Sequence, residues 1–154
     1  MRIAVGCDHA GFPLKSVVLE TIRRLGHEAL DLGTSSSEPV DYPDIAEAVG
    51  HAVLDGRCQR GILVCGSGVG AAVAANKLNG IRSGVCHDTY SARQAVEHDD
   101  VNVLALGARV IGPALAESLI EAYLQATFSG EARHARRLQK IAEIEARSRR
   151  GGAA

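Results

Sequence analysis

Gly61-Ile62-Leu63-Val64-Cys65-Gly66-Ser67-Gly68-Val69-Gly70 decides how the chain folds. Its first half is a short continuous apolar run, the pattern of a strand buried on both faces. Its second half spaces three glycines at every other position, and an alanine-rich stretch, Val69–Leu78, follows as a short helix. Glycines let the backbone curl closely around a bound group. Successive N–H groups then point inward beside the positive end of a helix dipole. Such a loop can hold a phosphate or an oxyanion, and Cys65 sits where a thiolate would be stabilised.

The same alternation runs outward in both directions. Strands are expected at Arg2–Cys7, Glu28–Leu32, Gly61–Cys65, Ile81–Cys86 and Val101–Leu106. Helices are expected at Phe12–Leu25, Asp41–Leu54, Val69–Leu78, Asp88–His98, Gly112–Phe128 and Glu131–Arg147. Leu14, Val17, Val18, Ile22 and Leu25 recur at helical spacing, and Gly26 stops that helix. Strand–helix alternation with apolar strands implies an α/β domain over residues 1–148, a parallel sheet covered by helices on both faces, with a disordered tail at 149–154. Ligands of such sheets bind beyond the carboxyl ends of the strands, here Cys7–Gly11, Gly33–Tyr42, Cys65–Gly70, Cys86–Thr89 and Gly107–Arg109.

Composition narrows the partners. A net charge of −1 gives no bulk field for nucleic acid or an anionic membrane. The charge is uneven: residues 131–150 carry seven Lys/Arg against three Glu, and residues 1–130 carry ten Lys/Arg against fifteen Asp/Glu. No apolar run approaches the roughly 20 residues of a membrane span. The chain enters a strand at once, with no apolar signal segment, so the cytoplasm is the expected compartment. Cys7, Cys58, Cys65 and Cys86 show no Cys-x-x-Cys pairing, which argues against a disulfide framework or structural zinc.

Three chemistries compete for the glycine loop. Gly66-x-Gly68-x-x-Ala71, with Asp88 further on, fits a loose dinucleotide fingerprint. Against it, the strand is the third in the chain, and the chain is short for a cofactor half plus a substrate half. Thiol phosphatase chemistry requires an arginine closing the loop, where Ala71 stands. Proton transfer is the third: a thiolate beside N–H donors can remove a proton next to a carbonyl while the donors hold the enediolate. Asp8-His9 follows the first strand and His98 precedes the fifth, and both histidines are expected at the rim that carries Cys65. No pair of histidines sits at the helical spacing typical of metal binding, so no metal is expected. On the last helix Arg133 and Arg137 share a face, bordering Leu138, Ile141 and Ile144, where guanidinium groups could fork onto a phosphate. That helix could also pack on a partner subunit.

Taken together these stretches resemble type B ribose-5-phosphate isomerases and the related galactose-6-phosphate isomerase subunits. The resemblance rests on Gly6-Cys7-Asp8-His9-Ala10-Gly11, Gly33-Thr34 with Asp41-Tyr42-Pro43, the Cys65–Gly70 loop and Ala74-Ala75-Asn76-Lys77. It continues through Gly80-Ile81-Arg82, Tyr90-Ser91-Ala92, His98 with Asn102-Val103-Leu104, Gly107-Ala108-Arg109-Val110, and Arg133-His134 with Arg137. It implies a three-layer Rossmann/flavodoxin-like fold with a five-stranded parallel sheet and a C-terminal helix packing on the partner. It also implies a homodimer, or a pair of dimers, with shared active sites, and no cofactor or metal. The activity implied is ribose 5-phosphate/ribulose 5-phosphate isomerisation through a cis-enediolate.

By the same resemblance, Cys65 is the base; Ala71 occupies the position where other members carry a glutamate. Ser67 would move a proton between O1 and O2, and the N–H groups of Gly66, Gly68 and Gly70 would hold the enediolate. His98 would open the furanose ring, and Asp8, Asp41 and Tyr42 would contact the sugar. His9 and Arg109, with Arg133 and Arg137 of the partner, would bind phosphate. The family pattern has asparagine after the ring-opening histidine; Asp99 stands here, removing a donor and adding a charge. Other aldose phosphates, of four or six carbons, and a non-catalytic sugar-phosphate sensor are the alternatives.

Overall fold

The structure, a computed structural model, describes residues 1–151, with side chains through Ser148; the tail expected at 149–154 lies outside the fully described residues. In chain order the elements are β1 (Arg2–Cys7), a 3-10 turn (Phe12–Leu14), α1 (Lys15–Arg24), β2 (Glu28–Asp31), α2 (Tyr42–Leu54) and β3 (Arg60–Cys65). Then come α3 (Val69–Ala75), β4 (Ser83–Val85), α4 (Thr89–Asp99), β5 (Val103–Gly107), α5 (Pro113–Gln125) and α6 (Ala132–Gly151). The five strands are parallel, in the order β2-β1-β3-β5-β4. The last two strands are exchanged relative to the flavodoxin order. That exchange places β5 directly beside β3, with Cys65 in register with Gly107.

The sheet separates two cores. On one face Ile3, Val5, Ile62, Val64, Leu104 and Leu106 pack against α1, α4 and α5, with Tyr123 fully buried among them. On the other, Ala4, Leu63, Cys65, Val103 and Ala105 meet α2 and α3 through Ala46, Val49, Ala71, Ala72 and Ala75. The small residues of this second layer bring α2 and α3 close to the sheet; at α2, a Cβ on Gly61 would meet Val49 Cγ1 at 2.7 Å. The helix carrying the glycine loop is thereby held tightly over the end of β3.

Several elements are shorter than the apolar pattern predicts, and in three of them side chains capture the backbone. The helix expected to Leu78 ends at Ala75, since Asn76 pairs with the backbone of Ser83, accepting its N–H at 2.7 Å and donating to its carbonyl at 2.9 Å. β4 starts at Ser83 rather than Ile81; the Arg82 N–H donates to Asn102 Oδ1 at 2.8 Å. α5 stops at Gln125, three residues early, where Arg60 donates to the carbonyls of Tyr123 and Ala126.

Leu104 lies at the centre of the sheet with no exposed surface. Leu104→Ala is expected to cost about 2–5 kcal/mol, as lost burial plus an incompletely filled cavity. Urea denaturation measures it directly; a loss under about 1 kcal/mol would mean that this core relaxes around the hole.

Candidate active site

The chain direction across the sheet reverses between β1 and β3, and a cavity of about 400 Å³ opens there beyond the strand ends. Asp8, His9 and Ala10 line it from the turn after β1, Cys65, Gly66, Ser67 and Gly70 from the loop after β3. Arg109 and Val110 line it from the turn after β5, and Tyr42 from the start of α2. The two neighbouring loops are stitched together: the N–H of Ala108 donates to Cys65 O at 2.9 Å and that of Arg109 to Gly66 O at 3.0 Å.

Cys65 is 5 % exposed, with its thiol at the cavity wall, and the Gly68 N–H points at its sulfur from 3.1 Å. Gly68 has φ of +82°, the left-handed region that glycine tolerates. A Cβ there would also press on the Leu106 carbonyl carbon at 3.0 Å. A Cβ on Gly70 would meet Tyr42 Cζ at 2.8 Å, so that ring would have to move aside. Gly68, at the N-cap of α3, makes no side-chain cap bond, so apart from the Val69 N–H taken by Ser67 the first-turn N–H groups stay open at the cavity end of the helix. Ser67 is exposed, with its hydroxyl accepting from the Val69 N–H at 3.2 Å.

The other three cysteines are built differently. Burial pushes the Cys7 thiol up to about 12 and the Cys86 thiol up to about 11, and Cys58 is also raised by burial, so all three remain neutral thiols in the protein interior. None of them lines the cavity.

Asp8 is buried, with Oδ1 accepting from the Gly11 N–H at 2.8 Å, which leaves Oδ2 for a ligand. His9 accepts the Val40 N–H at Nδ1, 3.2 Å away, so its neutral ring carries the proton on Nε2. Arg109 is exposed, and no carboxylate lies within ion-pair distance of it among the described residues. A cation and an N–H donor thus border one end of the cavity. His87, to which sequence reasoning gave no role, accepts the Gly107 N–H at Nε2, 2.9 Å away, and holds the β5 turn. Its position right after β4 was the available signal.

The placement of His98 on the rim of Cys65 is corrected by the structure. α4 runs antiparallel to the strands, so its last turn, with His98 and Asp99, lies at the amino-terminal edge of the sheet. The cysteine closes the carboxyl-terminal edge, roughly 15 Å away along β5. At that opposite edge His98 stacks on His134 of α6, ring centroids 4.1 Å apart and planes inclined by 26°. Arg133 and Arg137 flank His134 on the exposed face of α6. Leu138 is half-buried, but Ile141 and Ile144 are 45 % and 59 % exposed, so much of the stripe beside the arginines is open rather than packed. Asp41 precedes Tyr42 at the amino end of α2, outside the cavity wall, and Gly68 is buried against β5. One chain therefore presents two separate groups of expected site residues.

Asp88, the acidic residue of the dinucleotide pattern, is engaged elsewhere. It caps α4, accepting from the Ser91 N–H and hydroxyl, both at 2.7 Å, and these bonds hold its carboxyl below the usual range. Among the described residues no cluster of three His, Cys, Asp or Glu side chains is placed to hold a metal ion, and no helix is long and apolar enough to cross a membrane.

Comparison with known proteins places this geometry in a class. The sequence pattern of the Ribose/Galactose Isomerase family matches residues 3–141, and the chain belongs to that family of isomerases. The resemblance to the type B ribose-5-phosphate isomerases holds as well. The chain is 47 % identical over 146 residues to ribose-5-phosphate isomerase B of Escherichia coli, covering 95 % of this chain and 97 % of the relative. It is 46 % identical over 132 residues to D-erythrulose-4-phosphate isomerase of Pectobacterium atrosepticum, covering 84 % and 86 %. Among solved structures, ribose-5-phosphate isomerase B of Clostridium thermocellum superposes with a TM-score of 0.93 at 47 % identity, covering 96 % of this chain and 99 % of that one.

His134 is buried, and its pKa lies below the ordinary histidine range, first because burial disfavours its charged form. The charges of His98, Arg133 and Arg137 act in the same direction, and Glu131 opposes them. The unfolded chain thus takes up this proton more readily, and the stability present above about pH 6.5 is lost as pH falls below it. The thermal midpoint is expected to fall between about pH 7.5 and about pH 5.5, and to fall less in His134→Phe. Equal falls in both proteins would contradict this assignment.

Proposed function

We propose that the chain interconverts D-ribose 5-phosphate and D-ribulose 5-phosphate, with Cys65 as the base and each active site shared between two copies. The observation that carries the reading is the Cys65 thiol at the tip of β3, opening on a cavity whose rim holds His9, Arg109 and the glycine loop. The relatives named ribose-5-phosphate isomerase B supply the five-carbon substrate.

The phosphate is taken by Arg109 and the Nε2–H of His9, joined by Arg133 and Arg137 of the second copy. This remote contact fixes C1 and C2 at the sulfur. The Cys65 thiolate removes the C2 proton of the open aldose, and the C2 electrons form the enediolate double bond as O1 takes up negative charge. Loop N–H groups hold that charge; one such donor is worth about 3–4 kcal/mol in comparable sites. Ser67 carries a proton between O2 and O1. Cys65 then returns its proton to C1, giving the ketose. Asp8 binds a sugar hydroxyl, with Tyr42 forming the wall opposite Gly70.

His98 opens the furanose ring by protonating the ring oxygen O4 as the C1–O4 bond breaks, with the O1 proton passing to water and C1 becoming the aldehyde. Because it lies on the far edge of its own sheet, it serves the cavity of the second copy, together with Asp99. Val69, Val73 and Val110, each more than half exposed around the cavity, offer apolar surface for that second copy, and the exposed stripe of α6 offers more. The second reading is a four-carbon aldose phosphate, favoured by the relative named for erythrulose 4-phosphate.

Cys65→Ala is expected to lower kcat at least about a hundredfold with the fold intact, measured by ketose formation from ribose 5-phosphate. Binding without turnover in the unaltered protein would make it a sensor instead. Arg137→Ala is expected to raise KM about tenfold to a hundredfold, and an unchanged KM would remove the phosphate role. A panel of aldose phosphates from four to six carbons, run on the unaltered protein and Asp99→Asn, separates the substrate readings.

A further inference from the structure

His98 is held far more firmly than an exposed histidine at a helix end requires. One face of its ring lies on His134, which is 1 % exposed. Its Nδ1 is 3.1 Å from Gln94 Nε2, one helical turn earlier. With a face and Nδ1 occupied, Nε2 is the edge left to reach a ligand.

His134 is itself fixed. Its Nδ1 lies 2.6 Å from the Ser129 hydroxyl, which also accepts the Glu131 N–H at 3.3 Å. The Ser129 N–H donates to the Glu97 carbonyl at 2.9 Å, tying the α5–α6 connection to the residue before His98. A chain of contacts thus runs from the backbone of α4, through Ser129 and His134, back to the face of His98. His134 lies on α6 between Arg133 and Arg137, so one helix carries both the phosphate-binding arginines and the support for the imidazole.

We propose that His134, anchored by Ser129, is a positioning residue for the ring-opening step: its imidazole is the platform that aims His98 Nε2 at the sugar ring oxygen bound in the partner copy. This rests on the ring-opening role of His98 given above. Proton transfer demands hydrogen-bond reach, and a misplacement of about 1 Å can cost about a hundredfold in rate.

His134→Ala, His134→Phe, Ser129→Ala and His98→Asn are assayed with ribose 5-phosphate, alongside competitive inhibition by inorganic phosphate and thermal denaturation. His134→Ala is expected to lower kcat about tenfold to a hundredfold, with the phosphate inhibition constant changed less than about twofold. His134→Phe, which keeps a flat ring under His98, is expected to recover most of that loss, and Ser129→Ala to show a smaller loss of the same kind. Unchanged kcat in His134→Ala overturns the proposal. So does a loss matched by weaker phosphate inhibition, because α6 as a whole has then shifted, or a Phe variant no better than Ala. Where His134→Ala does not fold, the other two variants decide: Ser129→Ala losing kcat with His134→Phe retaining it supports the platform, and any other pattern rejects it. Full activity in His98→Asn would instead remove the ring-opening reading, and this proposal with it. Impaired His98→Asn beside a normal His134→Ala removes the proposal alone.

Discussion

A parallel sheet has two unlike edges, and that asymmetry governs everything this chain can do. Each strand delivers its following turn to the carboxyl edge, and each helix must travel back to the amino edge before the next strand begins. Asp8, Cys65 and Arg109 therefore meet at one edge, and His98, at the end of α4, is carried to the other. No rotamer change spans a strand of roughly 15 Å. In the proposed assembly these are two partial sites facing away from each other, and a two-fold pairing that seats one on the other would complete both at once. The arginines of α6 travel with His98 because the same connection, pinned by Ser129 to Glu97, starts that helix.

Within the first half-site, the exchange of β4 and β5 is the decisive detail. It sets the Arg109 turn against the Cys65 loop through two backbone hydrogen bonds, so a cation and the thiol share one rim. The alanine layer beneath α3 presses the loop onto the strand ends, and Gly68 takes a left-handed backbone against β5 where a side chain would be strained. The contrast with Cys7 is instructive. Both cysteines close central strands, yet Cys7 points into the apolar layer under α1, where burial holds it as a thiol, and Cys65 points into the opposite layer beside the cavity. One step in the period-two alternation of β3 would turn Cys65 into the same layer as Cys7.

The sequence made the strands and most helices readable because apolar runs and glycine stops are local signals. Arg2–Cys7 matches the expected strand at both ends, and Asp8, His9, Tyr42, Cys65, Gly66, Ser67, Gly70 and Arg109 do gather at one cavity. What local signals could not give were contacts made by side chains with distant backbone: Asn76 with Ser83, Arg60 with Ala126, His87 with Gly107. His98 was misplaced for a different reason. Its neighbourhood in sequence, just before a strand, resembles that of a residue just after one, and only the direction of travel separates them. His134 was visible within the arginine motif, but nothing local told that its ring would lie beneath His98.

The proposed shared site is tested most directly by mixing two inactive proteins. Cys65→Ala disables the first half-site and His98→Asn the second, so neither protein alone should turn over ribose 5-phosphate. After the two are dissociated together and allowed to pair at random, half of the dimers are mixed, and each mixed dimer holds one site built wholly from unaltered residues. Activity should recover to about one quarter of that of the unaltered protein. If each chain instead carried its own complete site, every site in every dimer would hold one lesion, and the mixture would stay as inactive as its parts.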